Sequence, residues 1–186
     1  MRWLLALLLG AGLGLMAGVA NTAVGTDPGP FMVALEVVTD TVAVWGLVAV
    51  LGGWLVARMP QAALGGVVTL LGALAAWTLW TAAETGEPLS LDLFGTEARA
   101  WILLGLVVAP LLGMLGAVGR SNSLIGLCAR AAAPIAIVVE ILWRHEASAE
   151  NFALDPVVAW TAVLMVLSGV LMTAIAFVGS RSSAPH

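Results

Sequence analysis

The feature that most restricts this chain is a series of long, unbroken apolar runs separated by short polar turns. Six such runs occur, at about 3–20, 31–57, 62–83, 100–119, 124–143 and 156–179. A helix needs about 20 apolar residues to cross the hydrocarbon core of a bilayer, and each run approaches or exceeds that length. The runs are continuous rather than alternating, which excludes a membrane β-barrel. A soluble fold fails on supply. Apolar residues are 61% of the chain and charged ones 10%, against roughly 45–50% and about 25% in a soluble globular domain. The expected fold is an all-α, polytopic transmembrane bundle of six spans in a single domain, with the lipid bilayer as its principal partner.

The breaks carry turn chemistry. Asp27-Pro28-Gly29-Pro30 stops a helix, because proline lacks the N–H that the next turn requires. Arg58-Met59-Pro60-Gln61 and Arg120-Ser121-Asn122-Ser123 are tight polar turns, and Thr85-Gly86-Glu87-Pro88 opens the longest loop. Asp155-Pro156 reads as a helix start, with a capping aspartate before a proline at the first helical position. The second run is long, roughly 40 Å if wholly helical. It either tilts strongly or leaves Phe31–Val38 in the outer interface.

Charge orients the bundle. With the N-terminus inside, Arg2, Arg58, Arg120 and Arg181 fall on the cytoplasmic side with Arg130 nearest it, and only Arg99 and Arg144 fall outside. This obeys the positive-inside rule and places both termini in the cytoplasm. All eleven acids then lie in the outer half. Trp3 and Trp54 fall near the inner interface, and Trp77, Trp80, Trp101, Trp143 and Trp160 near the outer one, as aromatic belts do. Trp45 is the exception, well inside the second run. Helical spans indicate an inner or plasma membrane. A cleaved signal peptide is a rival reading of the first run, since Met1-Arg2, an apolar stretch and Gly18-Val19-Ala20 follow in order. Against it, Gly10, Gly14 and Gly18 recur every four residues and make a face for close helix packing.

Charges within the runs are the candidates for function, because each costs at least ~2.5 kcal/mol at mid-membrane unless paired or hydrated. Arg130 lies about seven residues into the fifth run, hence roughly 10 Å deep. It reads either as a buried counter-ion or anion ligand, or as a side chain snorkelling to headgroups. Glu36 and Asp40 are four residues apart and share a helix face, which suits a proton or cation site near the outer surface. Glu140 precedes Arg144 by four, the favourable order for a helix ion pair. Alternatively, Glu140 joins Glu36 and Asp40 in an outer acidic cluster. Pro134, between Arg130 and Glu140, frees the Arg130 carbonyl and is a candidate hinge. Gly113 and Gly116 give the fourth run a thin packing face like that of the first.

Absences narrow the function. The two histidines, His145 and His186, lie outside the runs, so a haem or zinc site within the bundle is not expected. No serine-nucleophile elbow, phosphate loop or dinucleotide turn is present, and no cofactor is expected. Nucleic-acid binding lacks a basic cluster. Two functions remain. One is a non-enzymatic protein that binds or translocates a small solute or ion through Arg130, Glu140, Glu36 and Asp40. The other is a structural or accessory subunit whose glycine faces serve a homo-oligomer or a larger membrane complex.

Three patches, Asp40-Thr-Val-Ala-Val-Trp45-Gly-Leu-Val-Ala-Val, Ala109-Pro110-Leu-Leu-Gly113-Met-Leu-Gly116 and Val139-Glu140, resemble a family of small bacterial multi-pass membrane proteins known only as a domain of unknown function. The resemblance covers roughly residues 35–145. It implies no activity and draws interest to Trp45, Pro110 and Glu140. The architecture, six spans in under 200 residues, also resembles the substrate-binding subunits of vitamin-uptake transporters.

Overall fold

In the computed structural model, residues 1–23, 29–56, 58–86, 96–121, 123–147 and 156–181 are described. Among them the chain is all α, with seven helices: α1 (Arg2–Ala23), α2 (Pro30–Thr39), α3 (Val42–Trp54), α4 (Met59–Thr85), α5 (Thr96–Val118), α6 (Leu124–Ala147) and α7 (Pro156–Arg181). Three helical stretches, Arg2–Ala23, Met59–Thr85 and Leu124–Arg144, are long and apolar enough to cross a membrane. The pair α2–α3 makes a fourth if its two members count as one span, and Gly105–Val118 and Pro156–Leu171 are shorter apolar helices.

The second run, expected either as a strongly tilted span or with Phe31–Val38 in the outer interface, is not a single straight helix. It is broken at Asp40-Thr41, and α2 and α3 meet at 66°. Neither proline nor glycine causes the break, since the local sequence is Val38-Thr39-Asp40-Thr41-Val42. The end of α4 is more ordinary. Gly86 takes a left-handed conformation and its N–H donates to the Ala82 carbonyl, a C-terminal cap that glycine adopts without steric cost.

Glycine determines how the helices meet. A Cβ at Gly10 would overlap the Thr69 carbonyl, one at Gly14 the Ala73 carbonyl, and one at Gly18 the Trp80 side chain. These pairings rise together along both helices, so α1 and α4 run parallel at backbone contact. On its other flank α4 meets α5 antiparallel, with Gly66 against Ala109 and Gly113 against Ala62. Gly52 faces Gly65 and Thr69, so α3 also runs antiparallel to α4. Gly113 lies against Gly53, and Gly116 lies against Val50. Gly169 of α7 meets Pro134 and Val138 of α6, while Ile137 and Ile141 cluster with Ala162. Each helix in this series therefore reverses the direction of the one before it, with α2–α3 counted together.

The inside of the bundle is made of small residues. The largest fully buried side chains are Thr41 and Thr69. Along α5, Gly105, Ala109, Gly113 and Gly116 are buried, whereas Leu103, Val107 and Leu111 are 66%, 68% and 58% exposed. That is the reverse of a soluble core and fits a bundle whose outer solvent is hydrocarbon. Packing between lipid-bathed helices then comes from close van der Waals approach. The hydroxyls of Thr69, Thr78, Thr81, Thr161 and Thr173 each donate to the carbonyl four residues earlier, so they enter the bundle without leaving an unsatisfied group.

The alternation of direction sorts the charges. Arg2, Arg58, Arg120 and Arg181 come to one end, where α1, α4 and α6 start and α3, α5 and α7 finish. Glu36, Asp40, Glu84, Glu97, Glu140 and Glu146 lie toward the opposite end, together with Arg99 and Arg144.

Candidate functional site

The break between α2 and α3 is where the charged residues converge. A helix start leaves its first N–H groups without partners. Thr41 occupies the capping position of α3, yet its hydroxyl turns back and donates to the Val37 carbonyl at 2.8 Å, so it makes no cap. The vacant role is taken from another helix. The carboxylate of Glu140 on α6 accepts the Val42 N–H at 2.9 Å through Oε1 and the Ala43 N–H at 2.6 Å through Oε2. A carboxylate is well suited to that place, because the start of a helix carries a partial positive charge.

Arg144 completes the closure. Its Nε donates to Glu140 Oε1 at 3.0 Å, its Nη1 to Asp40 Oδ2 at 2.6 Å, and its Nη2 to the Asp40 carbonyl at 2.7 Å. One guanidinium thus joins the carboxylate that caps α3 to the residue that ends α2. Trp45 spans the break from the other side, with its indole N–H donating to the Thr39 carbonyl at 2.6 Å. Thr39 donates to Leu35 and the Asp40 N–H to Glu36, and the Thr41 N–H reaches Val38 at 3.4 Å. Backbone groups freed by a break in a membrane helix must find partners within the protein. Here the carbonyls of Glu36, Val37, Val38, Thr39, Asp40 and Thr41 all do so.

Glu140 and Asp40 differ sharply in access. The side chain of Glu140 is 14% exposed and that of Asp40 is 71% exposed, with Arg144 between them at 33%. Glu36 is half-buried one turn before Asp40. Asp40 and Glu140 share one guanidinium and Glu36 stands a turn away, so the charge around the break is net acidic.

The remaining candidates lie elsewhere. Arg130 is in the second turn of α6, at the arginine-rich end. Its stem passes against Gly119, beyond the end of α5, and its buried Nε has no hydrogen-bond partner. It is not brought together with Glu140, Asp40 or Glu36. Pro134 is buried, and α6 runs through it uninterrupted, with its carbonyl facing Gly169. Pro110 lies within α5, beside the point where Gly66 meets Ala109. Gly10, Gly14, Gly113 and Gly116 sit at helix–helix contacts, and Gly18 beneath Trp80. The loop segment Leu89–Phe94 and the stretch 148–155 lie outside the described residues. Among the described residues no group of three or more His, Cys, Asp or Glu comes together to hold a metal ion.

Sequence reading paired Glu140 with Arg144 and, as an alternative, placed Glu140 beside Glu36 and Asp40. Arg144 is the common member, and its contact with Asp40 was not foreseen. The one available signal was an arginine among outer acids, which identifies no partner 104 residues away. The helical membrane character rests on composition and on the candidate spans. The resemblance to a domain family gains no support from comparison: no protein-family model, no curated protein and no solved structure matches the chain.

Proposed function

We propose that this is a six-span, non-enzymatic integral membrane protein of an inner or plasma membrane, with both termini cytoplasmic, that binds or moves a small solute or ion at its broken second span. The observation that carries this reading is the break at Asp40-Thr41, closed by Glu140 and Arg144 from α6. Discontinuous helices in membrane transporters line substrate and ion sites. The net acidic charge of the cluster favours a cation over an anion. Six spans are supported by the reversal of direction from helix to helix, and the orientation by the arginines gathered at one end. Backbone contact between α1 and α4 supports retention of the first span.

The accessory-subunit reading has weaker support. It calls for an unoccupied small-residue face, whereas Gly10, Gly14, Gly53, Gly66, Gly113 and Gly116 are all spent on contacts between helices of this chain.

Reconstituted vesicles test the proposal. Protein-containing liposomes are expected to dissipate an imposed proton, sodium or potassium gradient faster than protein-free ones. Joint replacement Glu36→Gln and Asp40→Asn is expected to slow that dissipation. Rates equal to empty liposomes for all three ions, and no binding of small cations to the purified protein, would remove the cation reading. If Arg130→Ala behaves as the parent does, Arg130 takes no part in the site.

A further inference from the structure

We infer that the α2–α3 break is a proton-operated latch: ionised Glu140 holds the start of α3 in place, and protonated Glu140 releases it while α2 stays tethered. The inference adds a control element to the broken span and does not require that a solute be moved there.

The argument begins with hydrogen-bond capacity. As a carboxylate, Glu140 only accepts, and it serves the Val42 N–H, the Ala43 N–H and Arg144 Nε at once. A proton taken from water on that side and placed on one oxygen turns that oxygen into a donor. The two adjacent N–H groups then lose one of their two acceptors. The charge that faced the positive end of α3 and the guanidinium is also gone, and charge-assisted bonds are about twice as strong as neutral ones.

Asymmetry makes this a latch rather than a general loosening. Arg144 holds α2 through Asp40 Oδ2 and the Asp40 carbonyl, and neither bond involves Glu140. Neutralising Glu140 therefore frees the start of α3 while the end of α2 remains on α6. Thr41 does not replace the lost cap unless its hydroxyl leaves the Val37 carbonyl. The proposed route for the proton is past Asp40, the exposed partner of the bridging arginine.

Among the described residues, the charged groups around Glu140 are few. From the end of α2 come Asp40 and, one turn earlier, Glu36. Neither α3 nor the part of α7 packed against Ile137 and Ile141 carries a titratable side chain, and α7's Arg181 is at the far end. Helix α5 carries Glu97 and Arg99 in its first turn at this end of the bundle. On α6 itself, Arg144 is in contact, and His145 and Glu146 follow it.

Trp45 supplies the readout, since its indole N–H bridges the break to the Thr39 carbonyl. The experiment follows the indole N–H resonances of the full chain, labelled with nitrogen-15 in lipid nanodiscs, from pH 8 to pH 2.5, with Trp45 assigned through Trp45→Phe. The parent is expected to show one sigmoidal shift of the Trp45 resonance. Glu140→Gln is expected to hold the acid position at every pH, and Glu84→Gln, on α4 and outside the break, to keep the transition. A second measurement covers poor folding of the variant. In a Cys128→Ser background, spin labels at Val42→Cys on the start of α3 and Leu79→Cys on α4 are expected to report a distance that changes over the same pH range. A pH-invariant Trp45 resonance in the parent, a fixed spin-label distance, or a transition that survives in Glu140→Gln would each overturn the latch. Failure of ion flux with the transition intact leaves the latch standing and removes the transport reading instead.

Discussion

At the scale of single residues, glycines at backbone contacts differ from glycines that touch nothing. Gly113 is the sharpest case, because a methyl there would overlap the Ala62 carbonyl and press on the backbone nitrogen of Gly66. Gly12, on the same helix as Gly10 and Gly14, has nothing within 4 Å of where its Cβ would stand. Gly113→Ala is therefore expected to destabilise the bundle by about 1–3 kcal/mol, the usual cost of overpacking. Gly12→Ala is expected to be neutral or stabilising by up to about 1 kcal/mol, through the better helix propensity of alanine. Thermal unfolding in detergent, followed by circular dichroism, checks both, and a lower midpoint for Gly12→Ala than for Gly113→Ala would contradict the packing argument. The glycine spacing of α1 and α5 was legible in the sequence, because period alone places Gly10, Gly14 and Gly18 on one face. Which helix each face meets was not legible. That depends on Thr69 and Ala73 of α4, whose own run contains no feature pointing to α1 rather than another neighbour.

At the scale of elements, the break between α2 and α3 is closed from α6. Glu140→Leu removes the acceptor of two N–H groups and strips Arg144 of one of its two carboxylates. Loss of a partner from a buried hydrogen-bonded group costs roughly 1–3 kcal/mol, more when charge is involved. Glu140→Leu is accordingly expected to cost about 3 kcal/mol and to raise amide hydrogen exchange at Val42 and Ala43 above that of mid-helix positions such as Val50. Unchanged exchange at those two amides would show that something other than Glu140 caps α3. The break also marks where sequence reading reached its limit. Length alone showed that 31–57 was too long for an upright span, which left tilt or an interfacial segment as the options. The position of the bend was hidden because Thr39-Asp40-Thr41 holds no helix breaker, and the groups that close it lie on another helix. Asp40 and Glu140 stood out as carboxylates in apolar surroundings, whereas Arg144 looked like the second half of a local ion pair. Its bond to the Asp40 carbonyl exists only once the chain has folded.

At the scale of the whole molecule, the gathering of arginines at one end and carboxylates toward the other makes a direct topological prediction. In cells carrying the Cys128→Ser background, Ser121→Cys is expected to react with a membrane-impermeant maleimide only after the membrane is opened, and Glu84→Cys in intact cells. The opposite pattern would invert the orientation, and equal labelling of both would deny that they lie on opposite sides. This coarse organisation was the most legible part of the chain, because hydrocarbon tolerates so few charges that their positions alone trace the turns. The distant cap on α3 carries one more consequence, for synthesis. Val42 and Ala43 wait for an acceptor about 100 residues downstream, which at about 5–20 residues per second is a delay of roughly 5–20 s. During that interval the nascent α2–α3 segment is left with two amides that no carboxylate caps. The insertion machinery, interfacial water or lipid headgroups must serve those amides until α6 emerges from the ribosome.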